Sequence, residues 1–242
     1  MLWDVDYTLV DSNGVGRMLY EATFSELFGR AMPQPGLMSG RTDRAIALEV
    51  LTLAGLAEPQ RHIAAFQAVQ AARAAELAGA VLAHSRALPG AAAAIAALAG
   101  LDGLEVVQSL LTGNIRPLAE VKLGPLGLLD HLDLDAGAYG DVHEVRAELV
   151  HAARRNAARG YGHDFAGQAT VLVGDTPLDV GAALATGARA VGVATGSFAV
   201  PELAAAGAHA VLPDLTDTGQ VLEAILGGPG PGLPHHLGQV SP

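Results

Sequence analysis

Short apolar segments alternate with helical patterns along the sequence from residue 91 onward. The apolar spacing predicts helices at 91–99, 115–126, 144–160, 180–186 and 218–226, and buried strands at 106–112, 170–174, 190–194 and 210–212. Strands this short and this apolar, separated by helices, are typical of a parallel sheet that is covered by helices on both faces. We therefore predict an α/β fold, in which the apolar segment 1–3 adds a strand to the same sheet.

A block of helical pattern separates this first strand from the rest of the sheet. Residues 14–83 place apolar side chains at helical spacing and contain no convincing strand, with breaks at 33–36 and 57–59. Leu88-Pro89-Gly90 is typical of a linker. The predicted organisation is a Rossmann-like α/β core at 1–13 and 88–226 with an inserted all-helical cap domain at 14–87. The Gly- and Pro-rich stretch 227–242 predicts a flexible tail.

The composition excludes several classes of function. Of the 242 residues, 50% are hydrophobic, which is ample for a buried core, and the formal net charge of −11 argues against nucleic acid or an anionic membrane as the partner. The absence of cysteine excludes disulfides, zinc–thiolate sites and cysteine nucleophiles. We see no secretory leader and no apolar run of membrane-spanning length, so we expect a cytoplasmic protein. The sequence makes no prediction of oligomeric state.

Two carboxylates lie one residue apart immediately after the first strand. Alternation along an extended chain sends the side chains of Asp4 and Asp6 to the same side, within a few ångströms of each other. Such a pair is costly unless a cation compensates it or the two groups differ in protonation state. The pair therefore indicates a metal, a proton-transfer role or both, although Asp is also common in turns that follow strands.

Polar residues also follow two later strands. Thr112-Gly113-Asn114 leads into a helix, where a hydroxyl and backbone N–H groups suit a phosphate oxygen, although Thr112 or Asn114 would serve equally well as a helix N-cap. Asp175 follows an apolar strand and Gly174, and Asp179 lies at the start of the next helix, where an N-cap role needs no chemistry. Because the carboxyl ends of parallel strands share one edge, these acids predict an oxygen-rich site for Mg²⁺.

The order and spacing of these motifs resemble those of a known family. Asp4-x-Asp6-x-Thr8 on the first strand, Thr112 at a later strand end and Gly174-Asp175-x-x-x-Asp179 after a third are similar to the haloacid dehalogenase-like hydrolase superfamily. The similarity is to its phosphoglycolate-phosphatase-like branch with a helical cap, and it extends from residue 1 to about residue 226.

The resemblance implies a magnesium-dependent phosphatase that hydrolyses a small phosphorylated metabolite. It implies that Asp4 is the nucleophile that becomes an aspartyl-phosphate, and that Asp6 protonates the leaving oxygen and later activates water. The implied magnesium ligands are Asp4, the Asp6 backbone carbonyl, Asp175 and Asp179. The implied phosphate and substrate contacts are Thr8, Thr112, Gly113 and Asn114.

The family also needs a cation that neutralises developing charge, usually a Lys at the start of the helix before the Gly-Asp strand. Arg146 corresponds best to that position, and Lys122 is its rival. Ten residues of helix would carry Lys122 about 15 Å from the strand end, which favours Arg146. Within the cap, the glycine-flanked Arg41 is a candidate for contact with an anionic substrate, although it would equally suit a solvated surface beside a Thr42 cap.

Tyr7 departs from the family pattern, because this position is usually glycine. That departure and the short first strand keep open a non-catalytic binding or regulatory module of the same fold. A phosphomutase acting on a sugar phosphate is the other alternative, since it shares the first chemical step. A dehalogenase would have no use for Asp6 and the acidic metal site. A phosphonate hydrolase needs a cap lysine for a Schiff base, and residues 14–83 contain none.

Overall fold

The computed structural model describes residues 1–227, so the predicted tail at 227–242 lies outside the described residues except for its first. The strands are β1 (Leu2–Trp3), β2 (Val10–Asp11), β3 (Arg86–Ala87), β4 (Ser109–Leu110), β5 (Val171–Gly174), β6 (Arg189–Val193) and β7 (Ala210–Leu212). The helices are α1 (Val15–Phe28), α2 (Asp43–Leu53), α3 (Ile63–Ala74), α4 (Ala78–His84), α5 (Ala91–Ala99), α6 (Arg116–Leu123), α7 (Arg146–Tyr161), α8 (Pro177–Ala185), α9 (Val200–Ala205) and α10 (Thr218–Leu226).

Five strands form one parallel sheet in the order β4-β1-β5-β6-β7. Helices that follow these strands in the sequence pack on both faces of the sheet. The predicted Rossmann-like α/β fold is therefore confirmed. Trp3 points into one apolar cluster and Leu2 into the other, as alternation along β1 requires. The carboxyl ends of β1, β4 and β5 therefore meet at one edge of the sheet.

The first strand is short but is paired on both sides. Leu2 lies opposite Ser109 of β4 and Leu172 of β5. Backbone bonds continue past the strand, since Asp4 N donates to Val173 O at 2.9 Å and Leu111 N donates to Trp3 O at 2.8 Å. Although the predicted first strand is short, its neighbours therefore hold β1 along its whole length.

Two differences from the predicted elements have simple causes. The strand predicted at 106–112 shortens to β4, because its ladder partner β1 offers only two residues. The helix α9 was not predicted. Its Pro201 lies in the first helical turn, where the missing N–H costs no hydrogen bond, although proline elsewhere in a sequence is a break signal.

In the sequence, the helices α1 to α4 lie between β2 and β3, which pair with each other as an antiparallel ribbon. In this ribbon Val10 of β2 pairs with Ala87 of β3, and Asp11 pairs with Arg86. The helices have an apolar cluster of their own, built from aromatic and aliphatic side chains that include Tyr20, Phe24, Ile46, Val50 and Phe66. Among the described residues, no helix is both long enough and apolar enough to cross a membrane.

Candidate active site

A cavity of about 220 Å³ lies between the carboxyl edge of the sheet and the helices α1 and α2. Most residues that the sequence predicted for the site line this cavity. They are Asp4, Asp6, Arg41, Thr112, Gly113, Asn114, Lys122, Arg146 and Asp175. The structure therefore brings together side chains from three strand ends, from the starts of two helices and from the helical block.

Asp4 is buried at the end of β1 and is 4% exposed. Burial raises its pKa to about 7; the charge of Arg146 opposes this rise, and Asp179 and Asp6 add to it. Arg146 Nη2 lies 2.8 Å from Asp4 Oδ1. The arginine thus favours the charged, nucleophilic form of a carboxylate that its surroundings would otherwise neutralise.

Three buried carboxylates lie close together at one side of the cavity, and two of them, Asp4 and Asp175, line it. One oxygen each from Asp4, Asp175 and Asp179 can be chosen so that all lie within 4.8 Å of one another, and all three residues are buried. Burial raises the pKa of Asp175 to about 9, and the charges of Asp4 and Asp179 add to the rise. Asp179 Oδ1 lies 2.5 Å from Arg146 Nη2, which is also paired with Asp4. Buried oxygens this close together suit a hard divalent cation, which would remove their mutual repulsion.

Asp179 also has a structural role in α8. Thr176, rather than Asp179, is the N-cap of this helix, and Asp179 Oδ2 accepts from Thr176 N at 3.1 Å to complete a capping box. Its other oxygen, Oδ1, faces Arg146 and the carboxylates of Asp4 and Asp175. Glycine is required at position 174, because a Cβ there would lie 2.2 Å from Asp179 Cγ.

Arg146 is the first residue of α7 and is buried against the strand ends. Its guanidinium donates to Leu111 O at 3.2 Å and to Gly40 O at 3.1 Å, so it joins the core to the helical block. Nη2 also lies 2.5 Å from Asp179 Oδ1. These contacts fix the guanidinium beside Asp4, as the predicted cation requires.

Lys122, the only lysine in the chain, is also in the site. Its Nζ donates to both oxygens of Asp6 at 2.7 Å and to Asn114 Oδ1 at 2.8 Å, and the residue is 2% exposed. The expectation that Lys122 lies about 15 Å away is wrong. The helix α6 begins only at Arg116, so Lys122 lies about 9 Å along it, and a lysine side chain that points back toward the helix N-terminus spans most of that distance.

Asp6 is held by three donors. Besides Lys122, Ser12 Oγ donates to Oδ1 at 2.5 Å and Asn114 Nδ2 donates to Oδ2 at 2.8 Å. Burial alone would raise the pKa of Asp6, but the charge of Lys122 and these hydrogen bonds outweigh it and hold the pKa below its usual value. The two carboxylates of the Asp4–Asp6 pair therefore have separate cations and opposite pKa shifts.

Thr112 and Asn114 belong to this polar network and do not cap α6. The N-cap is Ile115, whose side chain makes no capping bond. Asn114 Nδ2 donates to Thr112 Oγ1 at 2.8 Å. The helix-cap alternative for these two residues is therefore wrong. Gly113 lies so close to the helical block that a Cβ there would lie 2.0 Å from Arg41 O.

Two predicted substrate contacts are placed less directly. Thr8 is fully buried, its hydroxyl has no partner, and it does not line the cavity. Arg41 does line the cavity, but its Nη1 forms an ion pair with Glu49. Its charge is therefore partly compensated within the helical block.

Sequence reasoning assigned no role to several polar side chains that line the cavity, among them Ser12, Arg17, Tyr20 and Asp43. They carry no motif signal, because their positions depend on how the helical block folds over the sheet edge. Tyr7 also lines the cavity and has φ 55, in the left-handed region that favours glycine. This conformation explains why the resemblance predicts glycine at position 7.

Solved structures with the same fold were found, at low sequence identity. A hydrolase from Pseudomonas syringae is 22% identical, with a TM-score of 0.61 over 89% of this chain and 93% of that one. A predicted phosphatase from Clostridium acetobutylicum is 17% identical, with a TM-score of 0.65 over 92% of this chain and 97% of that one. A predicted phosphoglycolate phosphatase from Haemophilus somnus is 16% identical, with a TM-score of 0.61 over 89% and 93%.

No curated protein sequence matches the chain. The family model of the haloacid dehalogenase-like hydrolases matches residues 1–184 of the 242. The matched region contains the three strand-end motifs together with Lys122 and Arg146. This agreement confirms the resemblance seen in the sequence, and the chain belongs to the haloacid dehalogenase-like hydrolase family.

Proposed function

We propose that the protein is a magnesium-dependent phosphatase that hydrolyses a small phosphorylated metabolite through an aspartyl-phosphate on Asp4. One observation carries the proposal. Asp4 and Asp6 line the same cavity, and each has its own cation, Arg146 for Asp4 and Lys122 for Asp6. A nucleophile and an acid–base group need different electrostatic surroundings, and this arrangement supplies them.

The residues present fit a magnesium ion. Asp4, Asp175 and Asp179 offer buried carboxylate oxygens that lie within 4.8 Å of one another, and the Asp6 backbone carbonyl would complete the protein ligands. When bound, Mg²⁺ supplies positive charge that orients the phosphoryl group and offsets the negative charge that develops on it.

Asp4 acts as the nucleophile in the first step. A carboxylate oxygen of Asp4 forms a bond to phosphorus, and the bond from phosphorus to the ester oxygen breaks. Arg146 holds the Asp4 carboxylate in place from 2.8 Å. Thr112 and the backbone N–H groups of Gly113 and Asn114 bind the phosphoryl oxygens at the start of α6.

Asp6 moves the protons in both steps. In its acid form it donates a proton to the departing ester oxygen, and as a carboxylate it then takes a proton from the water that attacks phosphorus of the aspartyl-phosphate. Lys122 opposes the acid form while it is bound to Asp6. An incoming phosphate dianion competes for Lys122, which weakens this opposition when substrate is present.

The cavity favours a small anionic substrate. At about 220 Å³ it holds a phosphate group and a short carbon skeleton. Four cations, Arg17, Arg41, Lys122 and Arg146, line it together with four carboxylates, Asp4, Asp6, Asp43 and Asp175, in a chain with a net charge of −11. A bound Mg²⁺ would give this balanced lining a net positive charge, which would attract a phosphate ester.

A screen of small phosphate esters for release of inorganic phosphate tests the proposal. We expect release that requires Mg²⁺, is abolished by EDTA and is lost in Asp4→Asn. Asp11→Asn is the matched control, because Asp11 is paired with Arg86 on the ribbon and does not line the cavity. Release that persists in Asp4→Asn would overturn the nucleophile assignment. Conversion of a sugar phosphate to its isomer without phosphate release would instead identify a phosphomutase.

A further inference from the structure

Residues 40–44, which lead into α2, form a close joint with the core. Asp43 N donates to Gly113 O at 2.6 Å, and Arg44 N donates to Gly140 O at 2.9 Å. The two backbones touch, because a Cβ on Gly140 would lie 1.7 Å from Gly113 O and 2.7 Å from Asp43 N. The helical block is therefore docked directly on the loop after β4, without intervening side chains.

The side chain of Asp43 adds a second contact to the same loop. Its Oδ2 accepts from Ile115 N at 2.7 Å, and its Oδ1 accepts from Tyr20 OH at 2.8 Å. Asp43 is 4% exposed and Tyr20 is 1% exposed. A carboxylate of the helical block thus pairs with a core amide at the start of α6.

Ile115 has no local acceptor for this amide. It is the N-cap of α6, and the first N–H groups of a helix have no partner within the helix. An acceptor usually comes from a neighbouring side chain in the sequence, but here it comes from a residue 72 positions away. The residues just before Ile115 are Thr112, Gly113 and Asn114, which line the cavity.

We propose that Asp43 is a positioning residue for the loop 112–114, and that by bonding Ile115 it aligns this loop for phosphate only when the helical block is docked. The inference rests on the proposed phosphatase function. It makes the block above the site part of the catalytic arrangement as well as a cover that excludes water.

The surroundings of Asp43 agree with this role. Burial raises its pKa to about 6, and the hydrogen bonds from Ile115 and Tyr20 oppose the rise. A buried carboxyl group that is satisfied by a core amide on one side and a tyrosine of the helical block on the other is stable only while both partners are in place. Undocking the block would leave the Ile115 amide without its acceptor.

Three variants test the proposal by phosphate release in Mg²⁺. Asp43→Ala removes the acceptor, and we expect kcat to fall by about 10–100-fold with a smaller change in KM, because the loop that holds the transferring group is misplaced. Asp43→Asn keeps a carbonyl oxygen for Ile115 and an amide for the Tyr20 oxygen, so we expect it to recover most of kcat. Arg44→Ala is the control, because it removes the ion pair with Glu144 across the same joint without touching the loop.

The comparison of variants separates positioning from simple docking strength. Equal losses in Asp43→Ala and Arg44→Ala, or no recovery in Asp43→Asn, would overturn the proposal. The expected order of kcat is wild type, Arg44→Ala and Asp43→Asn close together, and Asp43→Ala well below them.

Amide hydrogen exchange at Ile115 supplies a test that needs no turnover. We expect slow exchange, and faster exchange in Tyr20→Phe, which loses the hydroxyl that orients Asp43. Exchange at the rate of an open loop amide would show that the bond is absent in solution and would overturn the proposal. If no phosphate ester is hydrolysed, the proposed function fails, but the exchange result still decides whether Asp43 holds the loop.

Discussion

Lys122 Nζ lies 2.7 Å from each carboxylate oxygen of Asp6. This is the only lysine of the chain, and it is fully buried beside the second carboxylate of the pair, while Arg146 lies beside the first. The two cations that the sequence presented as rivals therefore act on different carboxylates. Burial raises the pKa of Asp4 in spite of Arg146, whereas at Asp6 the charge of Lys122 and the hydrogen bonds outweigh burial and lower the pKa.

Replacing Lys122 tests its role directly. We expect Lys122→Gln to lower kcat by about 10²–10³-fold, the range seen when one donor to a transition-state charge is removed. Arg116→Gln is the control on the same helix, because Arg116 is half exposed and pairs with Glu120 and Asp135. It should keep kcat within about twofold of wild type. Equal losses in the two variants would show that Lys122 only stabilises α6.

The same lysine provides a spectroscopic probe. Protein labelled with ¹⁵N-lysine has a single Nζ signal, because the chain has one lysine. Adding orthophosphate with Mg²⁺ should shift this signal as Lys122 exchanges Asp6 for a phosphate oxygen. An unchanged signal at saturating orthophosphate would contradict a direct contact between Lys122 and the phosphoryl group.

The variant Asp175→Asn tests whether the acidic cluster binds Mg²⁺. Mg²⁺ should raise the melting temperature of the wild-type protein, because a ligand that binds only the native state stabilises it. In Asp175→Asn this rise should be lost, and in EDTA the variant should melt above wild type, since one of three crowded buried carboxylates is gone. Asp102→Asn, at an exposed position, should behave as wild type. An equal Mg²⁺ effect in both variants would place the ion elsewhere.

Tyr7 is expected to strain the loop between Asp6 and β2. Its φ of 55 costs a residue with a Cβ about 1–2 kcal/mol. Tyr7→Gly should therefore unfold with a larger free energy than Tyr7→Ala by about 1 kcal/mol. Both variants remove the ring, so the difference isolates the backbone. Chemical denaturation measures it, and equal free energies of unfolding would show that the Tyr7 backbone is unstrained.

The raised pKa of Asp43 predicts that the free energy of unfolding depends on pH. Burial raises its pKa from 3.8 to about 6 in the folded protein, so its contribution to stability is present below pH 4 and is lost as the pH rises through 6. Asp43→Asn lacks this titration. The free energy of unfolding of the variant minus that of wild type should therefore increase by about 3 kcal/mol between pH 4 and pH 7. The charge of Lys122 lowers this pKa and the charge of Asp6 raises it. A difference in free energy of unfolding that stays constant from pH 4 to pH 7 would contradict the raised pKa.

The joint between Gly113 and Gly140 should not tolerate a side chain. Gly140→Ala places a Cβ against the Gly113 carbonyl and the Asp43 amide, and we expect a loss of about 1–3 kcal/mol in the free energy of unfolding together with reduced kcat. Gly160→Ala is the matched control, because it lies in α7 with open space around it and should stabilise the helix by up to about 1 kcal/mol. Equal effects would show that the block is not docked at Gly140 in solution.

The fold was predictable because its signals are local. The periods of apolar residues along 91–99 and 218–226 match α5 and α10, and the Gly-Asp that follows β5 marks a strand end. A parallel sheet then places all such ends at one edge, so Asp4, Thr112 and Asp175 meet without further information. Strand lengths were less predictable, because β4 is only as long as its partner allows.

The sequence by itself indicated the candidate site residues, since acids, a hydroxyl and cations at strand ends and helix starts are readable from spacing alone. Only the tertiary structure decided how they pair. The late start of α6 at Arg116 and the face that it turns to the site bring the Lys122 side chain to Asp6, and the docking of α2 on the core brings Asp43 to Ile115 across 72 residues. Neither relationship has a sequence period, because both depend on how whole helices pack against the sheet edge.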